Sequence, residues 1–276
     1  MVWRVETICR VIGVSRSGYY RWAKECREEN RKGDTQIAVK IAEVFHQSKK
    51  TYGTRRIKHE LAKVGINIKE RRISRLMKEM GLKVKTKKKF KITTDSGHKL
   101  TVAPNLLETS EKPKSPNKIW VGDITYIWTR EGWLYLSVVM DLWSRKIVGW
   151  CLNIRMDKGL VIEALKRAIG SREYKPGLIF HSDKGSQYAS NDYKELLSKN
   201  NIVQSMSGKG KCYDNAAQES FFHTLKTELV YQQVYNTRKE AELSIFEYIE
   251  CFYNRKRIHS SINYMSPVSF ELEYVK

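Results

Sequence analysis

The sequence of 276 residues contains no long apolar segment. A helix that crosses a bilayer needs a run of roughly 18 or more mostly apolar residues, and no such run occurs. The start, MVWRVETICRVIGVSRSG, also lacks the basic, apolar and small-residue order of a secretory signal peptide. We therefore expect a cytoplasmic protein with no membrane segment.

Cysteines are few and scattered. The five are odd in number and never form a CxxC pair, and none of the six histidines stands at zinc-ligand spacing from a cysteine. These absences argue against a disulfide framework or a Cys-based zinc site, and we expect reduced, mostly buried thiols. The cysteines are Cys9, Cys26, Cys151, Cys212 and Cys251.

Positive charge is present in excess and is unevenly distributed. The net charge of +21 divides into +18 for residues 1–120 and +3 for residues 121–276. A basic surplus in one half is typical of a surface that faces a polyanion, because neutralised phosphates release condensed counterions. A solvated basic face is the alternative. The seven Trp, eight Phe and 15 Tyr are enough to fill the core of about two domains.

The N-terminal part predicts small all-α, helix-turn-helix domains. In residues 1–33, helical patterns at 5–12 and 17–28 flank a short turn, and Ser15 or Ser17 can cap the second helix. A second helical domain at residues 34–82 has helical spacing at 37–45, 55–62 and 72–80. Such units bind proteins as well as DNA, and the charge favours DNA. The candidate DNA-binding side chains are Arg55, Arg56, Arg71, Arg72 and Arg75.

Residues 83–117 predict a basic linker. Six lysines fall within the nine residues 83–91, and three prolines follow in a stretch with little periodicity. Like charges at this density repel one another unless an anionic partner is present. Lys87, Lys88 and Lys89 are therefore further candidates for DNA binding.

Residues 118–276 predict an α/β domain. The β-branched and aromatic runs IWVGDITYIWT, WLYLSVVMDLW and KIVGWCLN predict a three-stranded antiparallel meander. Two more strands alternate with helices, so the pattern indicates a mixed five-stranded sheet with flanking helices. The later elements are a helix at 158–169, a strand in GLIFHSD, a helix at 192–198, a strand at 202–206 and helices at 216–229 and 239–253.

Three carboxylates are candidates for a joint site. Asp123 lies inside the first strand, where a buried carboxylate is costly unless it is solvated, paired or bound to a cation. Asp183 ends the fourth strand, at the edge where open sheets hold ligands. Glu219 lies one turn into the long helix. If the first and fourth strands are neighbours, the aspartates converge and the helix can bring the glutamate to them.

Oxygen ligands of this kind suit a hard divalent cation. Mg²⁺ shares phosphate oxygens with its substrate, and two ions about 3.5 to 4 Å apart support in-line phosphodiester displacement. However, residues 121–276 contain 18 acidic side chains, so some acidic pair is expected by chance. Spacing alone leaves a metal site and a coincidence both open.

Several motifs resemble those of a known family. WVGDITYI, HSDKGSQY, NAAQESFFHTLKTEL and FYNRKRIHSSINYMSP are similar to the integrase-type catalytic core of bacterial insertion-sequence transposases, specifically the second-frame (OrfB) product of the IS-three family. The resemblance extends through GVSRSGYYRW and YGTRRI to nearly the whole chain. Asp183 and Glu219 have 35 residues between them, as the DDE pattern of that family requires, and Lys226 follows Glu219 by seven.

The resemblance implies a ribonuclease-H-like fold and a DNA transposase. Such an enzyme cleaves double-stranded DNA at the ends of its element and transfers the freed 3′-hydroxyl to another phosphodiester. The resemblance also implies two Mg²⁺ or Mn²⁺ ions per active site with DNA bound. Asp123 would bridge both ions, and Asp183 and Glu219 would each complete one coordination sphere. Lys226 would contact terminal DNA, and Lys184 would lie in the substrate groove.

Other polar residues have open interpretations. His181 either supports the fold or lies near the metals. Asp141 is an alternative candidate for a metal ligand, but its position favours a role in a turn at the end of the second strand. The basic cluster of Arg255, Arg257 and His259 either grips phosphates or ends a solvated helix.

Rival functions remain. One is a catalytically inactive DNA-binding regulator, which the intact acids disfavour, and another is a nuclease that hydrolyses without joining, which the predicted DNA-binding segments disfavour. A retroviral-type integrase would normally carry a His and Cys zinc module. We expect a homo-oligomer on DNA. In the family that the sequence resembles, the full transposase is often a frameshifted fusion with an upstream helix-turn-helix and coiled-coil region. No heptad run is visible here, so the upstream-frame helix-turn-helix protein, fused or separate, is expected to supply end recognition or assembly.

Overall fold

The computed structural model describes residues 4–85, 103–108, 111–207 and 216–274, and for residues 26–32 it describes the backbone only. The chain divides into two compact units, residues 1–84 and 85–276. Within the described residues, no helix combines the length and the apolar character needed to cross a membrane.

The described part of the first unit is helical, as predicted. Ser15 begins the second helix by accepting a hydrogen bond from the Gly18 N–H at 3.0 Å. The third and fourth helices end near Gly65 and Gly81, whose φ angles of +80° and +66° suit the left-handed conformation that terminates many helices. The helices are α1 (Val5–Val11), α2 (Arg16–Gln47), α3 (Thr54–Lys63) and α4 (Glu70–Glu79).

Helix α2 joins two helices that the sequence predicted as separate, at residues 17–28 and 37–45. The stretch between them contains Gly33 but no proline, and one glycine weakens a helix by only about 1 kcal/mol. The backbone therefore continues without a break. The predicted boundary between domains 1–33 and 34–82 falls inside α2, and that division stays a prediction.

The second unit is built on a mixed five-stranded sheet, as predicted. Strands β1, β2 and β3 form the antiparallel meander, while β4 pairs in parallel with β1 and β5 pairs in parallel with β4. The order across the sheet is β3-β2-β1-β4-β5. The strands are β1 (Ile119–Thr129), β2 (Gly132–Asp141), β3 (Ile147–Asn153), β4 (Ile179–Ser182) and β5 (Val203–Met206).

Side chains of the sheet alternate between two buried clusters. In β1, Trp120 packs with the helices α5 and α6, whereas Val121 and Ile127 pack with α7 and the C-terminal helices. Helix α8 continues into a π-helical segment, Glu247–Tyr253. The helices of this unit are α5 (Lys158–Ser171), α6 (Asn191–Lys199), α7 (Ala216–Glu228), α8 (Arg238–Phe246) and α9 (Pro267–Tyr274).

A buried ion pair ties the end of α7 to the C-terminal segment. The Arg257 guanidinium is 3% exposed and donates to both carboxylate oxygens of Glu228, at 2.7 and 2.9 Å. The Tyr248 hydroxyl donates to the same carboxylate at 2.7 Å. The hypothesis that Arg257 grips phosphates is therefore wrong, because its charge is neutralised inside the core.

We predict that Arg257→Met lowers the free energy of unfolding by about 3–5 kcal/mol, because it leaves the Glu228 carboxylate buried without its counter-ion. Urea denaturation measures this loss. The matched control is Lys199→Met, which removes an exposed pair with Glu195 and is expected to cost less than about 1 kcal/mol. Equal losses in the two variants would contradict the prediction.

Candidate active site

The first candidate ligand, Asp123, lies in the middle of β1 and faces α7. It has the same parity along the strand as Val121 and Ile127, which pack in the cluster that includes Phe221 and Phe222 of α7. Asp123 is half-buried, and its Oδ1 accepts a hydrogen bond from the Ile124 N–H at 2.7 Å. A carboxylate is therefore held between the sheet and this helix.

Asp183 lies beside Asp123 because β1 and β4 are parallel neighbours. The register pairs Gly122 with Ser182, the last residue of β4, so Asp123 and Asp183 each directly follow a member of this pair on strands about 4.8 Å apart. Gly122 is required for this close pairing, because a Cβ there would meet the Phe180 ring at 2.4 Å. The Asp183 Oδ1 accepts from the Gly185 N–H at 3.0 Å.

Glu219 approaches this pair from the first turn of α7. Its neighbour Gln218 is fully buried and donates from Nε2 to the Val138 carbonyl at 3.3 Å, and Val138 pairs directly with Asp123 across β1 and β2. The first turn of α7 is thus anchored to the strand pair that carries Asp123. The Glu219 side chain itself is exposed.

The three carboxylates interact electrostatically. Burial, followed by the negative charge of Asp183, raises the pKa of Asp123 to about 8, and Glu219 adds to the increase. The Ile124 N–H and the positive charge of Lys226 act in the opposite direction. Burial and the acidic neighbours therefore favour a bound proton, or another cation, at Asp123.

Lys226 lies in the core rather than on an exposed helix face. It is 6% exposed, and its ammonium stands over the ring of Tyr126, 4.4 Å from the centroid. Burial lowers the pKa of Lys226 to about 8, and the negative charge of Asp123 opposes that change. Tyr126 and Lys226 are 100 positions apart, so the sequence gives no sign that this ring supports the ammonium.

The donor set suits a hard divalent cation. The oxygen donors and their mutual repulsion fit Mg²⁺ or Mn²⁺. Among the described residues, no group of three or more His, Cys, Asp or Glu side chains already stands in a metal-binding arrangement. Asp123 and Asp183 are brought together, whereas the Glu219 carboxylate is exposed.

Residues near Asp183 in the sequence differ in how deeply they are buried. Lys184 follows it and is half-buried, whereas Tyr188 is buried against Phe180 and Tyr193 and belongs to the core. His181 is fully buried, with its Nδ1 2.9 Å from the Ser205 hydroxyl oxygen of the neighbouring strand β5. His181 therefore joins two strands.

Asp141, the rival acid, has a structural position. Its side chain is fully buried and accepts N–H hydrogen bonds from Asn117, Trp143 and Ser144 at 2.7, 3.0 and 2.9 Å. It stabilises the turn after β2, which is the role that the sequence favoured.

The predicted DNA-binding arginines lie in the first unit, and several have acidic partners there. Asp34 accepts from Arg72 at 2.7 Å and from Arg75 at 2.6 Å. Arg55 lies 3.8 Å from Glu70 in a weaker exposed pair. The sequence gives no local signal for Asp34, because it lies about 40 positions from both arginines. Of the other candidates, Arg56 stands over the Tyr52 ring, Arg71 is exposed, and Lys87, Lys88 and Lys89 lie outside the described residues.

Family models match both units. Two models described as "Integrase core domain" match residues 113–212 and 219–273, and one described as "HTH-like domain" matches residues 32–90. A solved structure, the HTLV-2 integrase catalytic core domain in complex with magnesium, covers 57% of this chain and 98% of its own, with 16% identity and a TM-score of 0.44. That similarity is too low to support a conclusion.

Two relatives match over almost the full length. The chain is 45% identical over 267 residues to "Insertion element IS600 uncharacterized 31 kDa protein" of Shigella sonnei, covering 97% of this chain and 98% of that protein. It is 40% identical over 269 residues to "Transposase InsF for insertion sequence IS3A" of Escherichia coli strain K12, covering 97% and 93%. With an integrase core behind a helix-turn-helix-like region, the chain belongs to the IS-three (IS3) family of transposases, which support transposition and DNA integration.

Proposed function

We propose that the chain cleaves DNA strands at the ends of its insertion element and joins the freed 3′-hydroxyl to another phosphodiester, with Asp123, Asp183 and Glu219 as ligands of Mg²⁺ or Mn²⁺. The observation that carries this proposal is the pairing of β1 with β4, which sets two carboxylates side by side. Their repulsion raises the pKa of Asp123 beyond the effect of burial. A divalent cation would remove that repulsion.

Each carboxylate has a distinct task. When bound, two such ions activate the attacking oxygen and stabilise the leaving oxygen of an in-line displacement. Asp123, once deprotonated, would be a ligand of both ions. Asp183, oriented by the Gly185 N–H, would hold one of them, and the exposed side chain of Glu219 would turn inward to hold the other.

Two lysines are assigned to the DNA close to the reacting phosphate. The buried ammonium of Lys226, held over Tyr126, is close enough to Asp123 to affect its pKa, and a buried charge attracts a phosphate more strongly than a solvated one. Lys184 follows Asp183 directly and would contact the backbone in the groove.

The first unit and the lysine run are assigned to sequence-independent DNA binding. Arg55, Arg56 and Arg71 lie at the surface or near it, with Arg55 in an exposed pair with Glu70, whereas Arg72 and Arg75 would have to exchange Asp34 for phosphate. Lys87, Lys88 and Lys89 add charge next to this unit. We further propose that the transposase acts as a homo-oligomer on nucleoid DNA, with the upstream-frame helix-turn-helix protein as a fused or separate partner.

An inactive regulator is a weaker proposal. A protein that only binds DNA gains nothing from two adjacent acids whose repulsion opposes folding. Retention of Asp123, Asp183 and Glu219 therefore favours catalysis.

We predict that Asp183→Asn reduces strand cleavage and joining at least about a hundredfold, because an amide is a poor ligand for a divalent cation. Affinity for DNA is expected to stay unchanged. Labelled DNA that carries the element's ends, incubated with Mg²⁺, reports both reactions. Asp192→Asn, on the exposed start of α6, is the control and should keep activity. Undiminished product formation by Asp183→Asn would remove this mechanism.

We predict that, without divalent ions, Asp123→Asn stabilises the protein increasingly as pH rises. The pKa of Asp123 is about 8 in the folded state against an ordinary 3.8, so folding retains a proton that the unfolded chain has lost. The free energy of unfolding of the wild type therefore decreases as the pH rises from 3.8 to about 8. The uncharged amide of Asp123→Asn does not titrate and avoids that loss. At pH 8 we expect a gain of at least about 1 kcal/mol, or roughly 2–4 °C in Tm. Thermal melts at pH 5 and 8 with no pH-dependent difference would contradict the prediction.

A further inference from the structure

The loop after β3 exposes two apolar side chains and an arginine. Ile154 is 54% exposed and Met156 is 49% exposed, and Arg155 between them is also exposed. Single exposed apolar residues are common on protein surfaces, but here two of them flank a cation. Within the part of the chain that the structure describes, Arg155 has no acidic partner. We call residues 154–156 the β3–α5 loop.

The backbone on either side of the β3–α5 loop is fixed by side chains. The Asn153 Oδ1 accepts hydrogen bonds from the Ile154 and Arg155 N–H groups, at 2.7 and 3.4 Å. Asp157 caps α5 by accepting from the Leu160 N–H at 3.2 Å. The exposed side chains are therefore presented in a defined position.

The β3–α5 loop lies close to the carboxylate site. Strand β3 runs in the same direction as β1 and β4, so the loop begins at the edge of the sheet where Asp183 lies. Gln187 donates from Nε2 to the Met156 carbonyl at 3.2 Å. The Gln187 Oε1 and the Asp183 Oδ1 each stand 3.0 Å from the position of a Cβ on Gly185, so the two oxygens are at most about 6 Å apart. The Met156 carbonyl oxygen is therefore within roughly 12 Å of the Asp183 carboxylate.

This distance matches the groove dimensions of DNA. The minor and major grooves of B-DNA are about 6 and 12 Å wide. A duplex with a phosphate at Asp183 therefore places a neighbouring groove, or the backbone across it, at the β3–α5 loop. Apolar side chains beside an arginine are also the combination with which proteins enter a minor groove and bend the duplex.

The location of the β3–α5 loop favours the target duplex over the element's end. Lys226, a DNA contact under the proposed function, belongs to α7 on one face of the sheet, whereas the loop leads into α5 on the other face. The joining reaction brings two duplexes to one site, and because each is wider than the site they approach from different sides. Contacts that read no hydrogen bonds also suit a target of variable sequence.

We propose that Ile154, Arg155 and Met156 contact the minor groove of the target duplex beside the phosphodiester that is attacked, and bend that duplex. The proposal rests on the proposed function, since the joining reaction brings the target to the carboxylates. Arg155 is attracted by the negative potential of the groove, and the two apolar side chains press between base pairs. The contact is therefore tolerant of target sequence and favours targets that bend easily.

The test measures cleavage and joining by the full chain with element-end DNA, Mg²⁺ and two target duplexes that differ only in a central mismatch, which makes one of them easy to bend. The double variant Ile154→Ser with Met156→Ser is expected to lower joining into the paired target about fivefold to a hundredfold and to keep joining into the mismatched target within about threefold of wild type. Arg155→Glu should lower joining into both targets, because it repels phosphate. Cleavage at the element's ends should stay within about twofold in every variant, because the target takes no part in that step. Val234→Ser, at another exposed apolar residue in a loop, is the matched control and should change neither reaction.

Unchanged joining into the paired target would overturn the proposal, and so would an equal loss on both targets in the double variant. A parallel loss of cleavage would place the loop on the element-end DNA, which also overturns it. Circular dichroism and the Val234→Ser variant separate loss of the contact from loss of the fold. The proposed function fails by a different result: an active Asp183→Asn would refute its metal ligands, while a selective loss in the loop variants would still identify the target contact.

Discussion

The parallel pairing of β1 with β4 is the constraint on which the rest of the site depends. It sets Asp123 and Asp183 level on neighbouring strands, and Gly122 permits it because a larger residue would strike Phe180. Two like charges at this spacing repel, so the fold holds them in place against their own electrostatics. The large clusters on both faces of the sheet supply the stability that opposes this repulsion.

Other buried acidic side chains of the second unit have counter-ions or N–H donors as partners. Glu228 is neutralised by Arg257, and Glu271 accepts from Arg172 at 2.6 and 2.9 Å. Asp141 is satisfied by N–H donors at a turn. Burial raises the pKa of both Asp141 and Asp123, but the Asp141 carboxylate accepts N–H hydrogen bonds from three residues, whereas Asp123 accepts one from Ile124 and lies next to a second acid, Asp183. This contrast distinguishes a site prepared for a cationic ligand from charges that only support the fold.

Local sequence patterns predicted most of the helices and strands. The proximity of Asp123 and Asp183 was predicted only on the condition that the first and fourth strands are neighbours in the sheet. The limits of β1 follow from its β-branched and aromatic run, and Ser15 caps α2 as its side chain indicated. Hydrophobic periodicity predicts that a segment is a strand, but it does not determine which strands are neighbours in the sheet. The sequence could not predict that Tyr126 lies beneath Lys226 or that Glu228 is the counter-ion of Arg257, because these partners are far apart in the chain and meet only through tertiary packing.

We propose that three carboxylates remote in the chain meet around divalent cations when DNA is bound. The most direct measurement is a crystal structure of the chain with DNA of the element's ends and Mn²⁺, using anomalous scattering to locate the metal. We predict anomalous peaks about 2.0–2.2 Å from oxygens of Asp123 and Asp183, with Glu219 drawn into coordination. Peaks held by other acids, or a Glu219 carboxylate that stays in solvent beside a filled metal site, would contradict the account.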